Sequence, residues 1–496
     1  MKKYYILGDS RKEPEDLPLF QDLNLDQLLE EIFKEEQEYC YEMPDSLEAV
    51  KYRQEVMQAL EEKEVGDAVK SFIAGIRKAR EYEENAVLLE NGDGYANWHL
   101  KAAYTYYCAL DDYMVFFEDR QQIPEGIQEV LTACRSMAEE AEYARNHDRA
   151  IRVYEKLSHL RYSIRIEKDC VTILPDREED IISSLSEKFP MHIGKPERLP
   201  RLLPGKETTK LEQRIFSYLQ KRNPGIFEEM RLFAKECREI FSSMVLDVCR
   251  ELSFYLCYAD FRNYMESCGH AFCYPEFQED GMNVQGGYDL ALAYKNQMEG
   301  KRTVPNDYHF KGQERFFVVT GPNQGGKTTF GRSVGQLIYF ANMGFPVPAQ
   351  QARLPYFPGI VTHFSVEESM ESGRGKLKEE LVRLAPIMQG EQHRLFVIIN
   401  ELFTSAATYD AAQMGRRVID HFLEQDCYGI YVTHIDELAG EKESVVSLVA
   451  SLEGGKEHRR TFKLVRQPST GKGYVETIVD QFGLSYEEIR RRLAHG

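Results

Sequence analysis

No stretch of the sequence approaches ~18 uninterrupted apolar residues, so no membrane-crossing helix is expected. The ten cysteines (40, 108, 134, 170, 237, 249, 257, 268, 273 and 427) include no CxxC pair and read as scattered reduced thiols. There is no internal repeat and no low-complexity segment. Positive charge is also scarce: 62 lysines and arginines face 81 aspartates and glutamates, a net charge of −19. Such a chain repels polyphosphate on average, so any nucleic-acid binding requires a local basic patch. The opening Met1-Lys-Lys-Tyr-Tyr-Ile-Leu-Gly8-Asp9 breaks its apolar run too early for an export signal, and a cytoplasmic protein is expected. What remains is ample for folded domains. The 496 residues are 43% hydrophobic and 29% charged, which excludes wholesale disorder.

The first 160 residues read as successive amphipathic helices. Leu28, Leu29, Ile32 and Phe33 form an apolar stripe opposite Glu30, Glu31, Glu35 and Glu36. Similar stripes run over 46–61, 67–84, 96–117 and 127–157, punctuated by Pro44, Gly66, Gly92-Asp-Gly94 and Pro124-Glu-Gly126. Tyr162-Ser-Ile-Arg-Ile166 and Cys170-Val-Thr-Ile-Leu174 then predict a β-hairpin. Pro175, Pro190, Pro196, Pro200 and Pro204 mark an irregular stretch made basic by Lys195, Arg198, Arg201, Lys206 and Lys210. Those charges fit a solvated loop or a phosphate-contacting tip. A helical pattern returns over 210–265, broken softly at Asn223-Pro-Gly225. Beyond Gly269, strand-like runs (315–320, 395–399, 428–433) alternate with helical patterns (328–343, 376–389, 411–424). That alternation predicts a mostly parallel sheet with flanking helices, and a boundary between helical front and α/β back near 270–300. Cys268, His270 and Cys273 have no second Cys/His pair at ligand spacing and read as core residues beside a strand.

The densest chemistry is Gly321-Pro322-Asn323-Gln324-Gly325-Gly326-Lys327-Thr328, followed by Thr329. It satisfies G-x-x-x-x-G-K-[ST] between a buried-strand pattern and a helix. Glycines let backbone N–H groups turn onto phosphates, and the helix N-terminus adds partial positive charge. Lys327 is then expected to reach the β- and γ-phosphates, with the Thr328 hydroxyl on magnesium. Leu395-Phe-Val-Ile-Ile399 ends in Asn400-Glu401, where a metal-holding carboxylate and a water-orienting glutamate are expected. Asn400 keeps an acceptor oxygen without the charge; Glu401 is the candidate base, and Thr328, Asn400 and Glu401 are the candidate metal-holding residues. His434 closes the next strand pattern and is the candidate γ-phosphate sensor.

Thr320-Gly-Pro-Asn-Gln-Gly-Gly-Lys-Thr-Thr329 resembles the TGPN-x-GGK-[ST]-T loop of the MutS family of mismatch-repair ATPases. Gly344-Phe-Pro-Val-Pro-Ala349 is similar to its G-x-x-V-P-A segment. Ser372-Gly373-Arg-Gly375-Lys376-Leu-Lys-Glu379 lies where the family has its signature SGRSTF-x-x-E. The run from Asn400 to Asp410 resembles DEIGRGTSTYDG, Val432-Thr-His434 the ATH switch, and Ser469-Thr-Gly-Lys-Gly-Tyr474 a turn near the end of the ATPase. The resemblance is dense over about 300–490 and weaker over 209–288.

By that resemblance the chain is multidomain. Residues 1–270 form a helical lever and core domain, with 162–206 as a clamp-like insertion. Residues 271–496 form an ABC-type P-loop ATPase domain. ATP and Mg²⁺ are the implied cofactors, and Ser372, Gly373, Gly375 and Lys376 would complete the nucleotide site of a second subunit in a homodimer. The implied activity is slow ATP hydrolysis driving a dimer clamp on mismatched, branched or otherwise structured DNA. Departures accompany the likeness. Gly375 and Lys376 stand for Ser-Thr, Asn400 stands for aspartate, and neither a mismatch-sensing nor a nuclease-like domain is expected. The acidity favours a second reading, a nucleotide-gated switch or scaffold acting on a protein or ribonucleoprotein.

Overall fold

A computed structural model describes residues 18–89, 92–118, 120, 122–167, 170–175, 210–364, 376–389, 393–440, 442–452, 460–469 and 489–492. These divide into two compact units, one within Glu62–Leu252, the other joining residues up to Glu61 with those from Ser253 onward. That partition is not the single boundary expected near 270–300, because residues 18–61 group with the carboxy-terminal half. No helix among the described residues is long and apolar enough to cross a membrane.

The amino-terminal segment forms α1 (Pro18–Asp22), α2 (Leu25–Phe33) and α3 (Leu47–Glu61). The helix carrying the Leu28, Leu29, Ile32 and Phe33 stripe breaks at Lys34, where φ is 49°, and the chain continues as a tighter 3₁₀ segment, Lys34–Cys40. In the first unit the helices are α4 (Lys63–Val87), α5 (Gly92–Phe116), α6 (Glu125–Ala138), α7 (Ala141–Ser158), α8 (Lys210–Arg222) and α9 (Pro224–Glu236). The division between units falls within α10 (Ser243–Ser267). Gly66, read as punctuation, lies inside α4, and the stripe over 127–157 splits at Glu139-Glu140 into α6 and α7. Asn223 ends α8, and Pro224 opens α9 at a position where its missing N–H costs nothing.

Helix α4 packs along α5 through Phe72 and Tyr113, whose rings lie 4.6 Å apart. Gly75 permits the close approach: a Cβ there would sit 2.6 Å from the Ala109 Cβ. Deep in the same unit, His99 Nδ1 lies 2.9 Å from a Glu83 carboxylate oxygen and Nε2 lies 2.5 Å from the Cys237 carbonyl. Both ring nitrogens face acceptors, which fits an imidazolium donating twice. Burial alone would push its pKa down, but the bonds to Cys237 and Glu83 overcome that and hold it at about 9. The predicted hairpin forms as β1 (Tyr162–Glu167) and β2 (Cys170–Pro175), paired antiparallel from Tyr162 opposite Pro175. Lys195, Arg198, Arg201 and Lys206 lie outside the described residues.

Among the described residues, the second unit holds two sheets. The smaller, in order β3-β7-β4-β5, contains β3 (Glu276–Phe277), β4 (Met282–Gly287), β5 (Asn306–Phe310) and β7 (Gln351–Leu354), with α11 (Leu290–Met298) between β4 and β5 in sequence. The larger contains β6 (Phe316–Thr320), β8 (Ile360–Phe364), β9 (Phe396–Asn400), β10 (Tyr428–Val432), β11 (Val445–Leu452) and β12 (Arg460–Arg466). Its order is β12-β11-β6-β10-β9-β8, parallel throughout except for the β11–β12 pair. Strands β6, β9 and β10 are buried at every position, which is why they read as unbroken apolar runs. The sequence motifs identified only these three strands of the six.

Helix α12 (Lys327–Asn342) leaves the glycine-rich loop after β6, and α13 (Lys376–Gln389) and α14 (Thr408–Glu424) follow. Residues 333–342 of α12 are all buried. A helix apolar on all sides needs cover beyond one sheet. The amino-terminal segment provides it: Gln336 Nε2 donates to the Leu23 carbonyl at 2.8 Å, Arg332 Nε to Asp22 at 2.8 Å, and the Tyr339 hydroxyl to Cys40 at 2.7 Å. Residues 18–61 therefore belong to the unit that carries α12.

Candidate functional site

Parallel β6, β10 and β9 deliver the ends of three sequence motifs to one edge of the sheet, where open α/β sheets place their ligands. After β6, Gly321 adopts φ 121° and Gly326 φ 92°, conformations that side-chain-bearing residues rarely adopt. Space is equally restrictive: a Cβ on Gly325 would lie 2.9 Å from both the Ala450 Cβ and the Pro322 carbonyl oxygen. Gln324 also takes a positive φ of 60°, and its Oε1 accepts from Arg460 at 2.6 Å. Lys327, 4% exposed, donates to the carbonyls of Gly321 at 2.8 Å and Pro322 at 3.1 Å. Burial lowers its pKa, and the nearby carboxylates of Glu401 and Asp436 work in the opposite direction.

The next residue makes the decisive link. Thr328 Oγ1 donates to Asn400 Oδ1 at 3.0 Å, joining the first turn of α12 to the last residue of β9. A hydroxyl and an amide oxygen side by side form a hard-oxygen donor pair suited to magnesium, and the neighbouring charge comes from Glu401. Glu401 sits in a left-handed conformation at φ 56°, its N–H bonded to the Val432 carbonyl at 2.9 Å. Phe403 follows at φ 63°. Each such non-glycine residue costs roughly 1–3 kcal/mol and persists only where surrounding contacts impose it. His434 Nε2 lies 3.3 Å from Glu401 Oε1, so the candidate sensor and the candidate base are in contact.

These groups open onto a cavity of about 800 Å³, lined by Asn323, Gln324, Gly326, Lys327, Thr328, Thr329, Glu401 and His434. It is also lined by Asn296, Lys301, Arg302, Asn306 and Phe462, none of which the sequence motifs identified. Phe462 lies over Gly326, and its backbone is tied to Asn306. The short run Thr461-Phe462-Lys463 carries no distinctive pattern, so only the pairing of β12 with β11 brings it here. Asp436 was also missed. It accepts from the Ser469 hydroxyl, which in turn accepts from Thr320 Oγ1 at 3.4 Å.

Of the expected signature residues, Ser372, Gly373 and Gly375 lie outside the described residues, and Lys376 opens α13. Glu379, at the end of that segment, is half-buried, whereas its neighbour Glu380 is buried and accepts the Phe403 N–H at 3.1 Å.

Residues 317–478 match the family model of MutS domain V. The DNA mismatch repair protein MutS of Thermotoga maritima is 30% identical over 164 residues, 33% of this chain and 20% of that protein. Longer matches run to the MutS proteins of Solibacter usitatus (25% over 287 residues, 57% and 31%) and Syntrophomonas wolfei (25% over 324 residues, 63% and 34%). The chain thus spans between 20% and 34% of the length of these relatives. The family-model match starts in β6 and takes in the glycine-rich loop, β9, β10 and β12, so the part of the chain that carries the site is similar to MutS domain V.

Proposed function

We propose that the chain binds and hydrolyses ATP in an ABC-type domain and uses the cycle to close and reopen a homodimer on structured DNA. One observation carries the reading: Lys327, Thr328 with its hydroxyl bonded to Asn400, and the Glu401–His434 pair line one cavity. In this reading the loop N–H groups and Lys327 hold the β- and γ-phosphates, while the Phe462 wall receives the base. Thr328 and Asn400, with the Glu401 carboxylate beside them, would hold Mg²⁺, which would supply positive charge against the phosphates. Glu401 orients the attacking water. His434 fixes the Glu401 carboxylate from the γ-phosphate side. Ser372, Gly373, Gly375 and Lys376 face the nucleotide of the second subunit.

The similar proteins are DNA mismatch repair proteins, which supports a mismatched-DNA ligand. The net charge of −19 favours the second reading, a nucleotide-gated scaffold for a protein or ribonucleoprotein. Binding of mismatched, branched and perfect duplexes, with ATP and across a salt series, separates the two. A clamp on DNA gives a steep loss of affinity with salt and a preference among the three duplexes. Flat or absent binding rejects the DNA reading.

A further inference from the structure

Helix α13 packs on the core beneath β9 and β10 through one stripe. Leu384 is part of the buried cluster, and Leu377, Ile387 and Met388 pack against it. Glu380 falls on the same stripe, four positions before Leu384, and is only 5% exposed. Packing alone asks for an apolar residue there. What the carboxylate does instead is accept the backbone N–H of Phe403 at 3.1 Å. Phe403 belongs to the turn that carries Glu401, and both residues hold positive φ angles (63° and 56°) that their own side chains disfavour. The other side of that turn is held by the Glu401 N–H on Val432, and by the Ala406 N–H on the Phe403 carbonyl at 3.1 Å. Nearby on β10, Tyr431 is buried and its pKa is raised, first by burial and then by the charge of Glu380. The carboxylate thus lies where α13, the turn after β9 and the strand leading to His434 converge.

We infer that Glu380 is a positioning residue for hydrolysis: by accepting the Phe403 N–H it fixes the turn that aims Glu401, and it makes the aim of Glu401 depend on the position of α13. The inference rests on the reading of the site as an ATPase. It goes beyond that reading by assigning a role to a residue that touches neither nucleotide nor metal. A displacement of α13 therefore reaches Glu401 through the Phe403 N–H as well as through the packing of Leu384 in the cluster that holds Leu402 and Phe403.

The test uses the full chain with MgATP, measuring ATP affinity by equilibrium binding and turnover by phosphate release. Glu380→Leu completes the apolar stripe while removing the acceptor, so the variant stays folded. Its kcat is expected to fall about 10–100-fold, the usual loss when a supporting residue is removed. ATP affinity should stay within about twofold of wild type, because the Lys327 loop is untouched. Glu380→Gln retains an amide oxygen for the Phe403 N–H and should recover most of the lost rate. In a Glu401→Gln background, Glu380→Leu should lower the residual rate no further, since its effect passes through Glu401. Unchanged turnover in folded Glu380→Leu, or parallel losses of ATP affinity and kcat, would overturn the inference and leave the ATPase reading standing. A wild-type chain that binds ATP without releasing phosphate would overturn both.

Discussion

In the loop after β6, the widest positive φ angles fall on glycines, Gly321 at 121° and Gly326 at 92°. In the turn after β9 they fall on Glu401 at 56° and Phe403 at 63°, residues with no intrinsic preference for that conformation. The first structure is largely written into local residue types, because glycine adopts those angles at no steric cost. The second is imposed from outside: Val432 accepts one N–H of the turn and Glu380 another. The two also differ in charge. Lys327 is buried against loop carbonyls, whereas Glu401 is a third exposed beside His434. A self-sufficient loop suits holding phosphate, and a turn held by distant elements suits a group whose aim is adjusted.

Substitutions sharpen that contrast. Lys327→Ala removes the cation of the loop and should weaken ATP binding by at least about 100-fold, as measured by equilibrium titration. Unaltered affinity would mean that the nucleotide lies elsewhere. Gly321→Ala attacks the loop through its backbone, placing a Cβ 3.0 Å from Ala450 at φ 121°. It should lower ATP affinity by about tenfold, the effect of roughly 1–3 kcal/mol of strain. Asn400→Asp restores a charge beside Thr328 and should lower the magnesium concentration for half-maximal phosphate release by about tenfold. An unmoved midpoint would place Asn400 outside the metal's surroundings. The smallest effect lies in neither loop. His99 has its folded pKa raised from 6.5 to about 9, so its stabilising contribution is full below pH 6.5 and is lost as pH rises through 9. The melting temperature of the helical unit should fall by a few degrees over that window, and His99→Gln should flatten the slope.

The same contrast explains what the sequence disclosed. The strands 316–320, 396–400 and 428–432 and the start of α12 were legible because a central parallel strand is apolar at every position and glycines mark the loop. Asn400, Glu401 and His434 were found because they follow the ends of such runs, and Thr328 because it closes the glycine-rich motif. The break at Lys34 and the split at Glu139-Glu140 escaped because the apolar stripe continues across both. The cover that residues 18–61 give α12 could not be read from periodicity, since it rests on side chains donating to distant carbonyls. Phe462 reaches the site only through tertiary pairing. Glu380 was overlooked by one position, because the spacing of the signature segment was read as ending at Glu379.

The division of labour between loop and turn is tested most directly by Glu401→Gln, with ATP binding and phosphate release measured on the same preparation. Binding should match wild type, because Lys327 and the loop are intact, while phosphate release should fall by about 10²–10⁴-fold with loss of the base. Wild-type turnover in that variant would contradict the assignment of Glu401 and, with it, the role given to the turn.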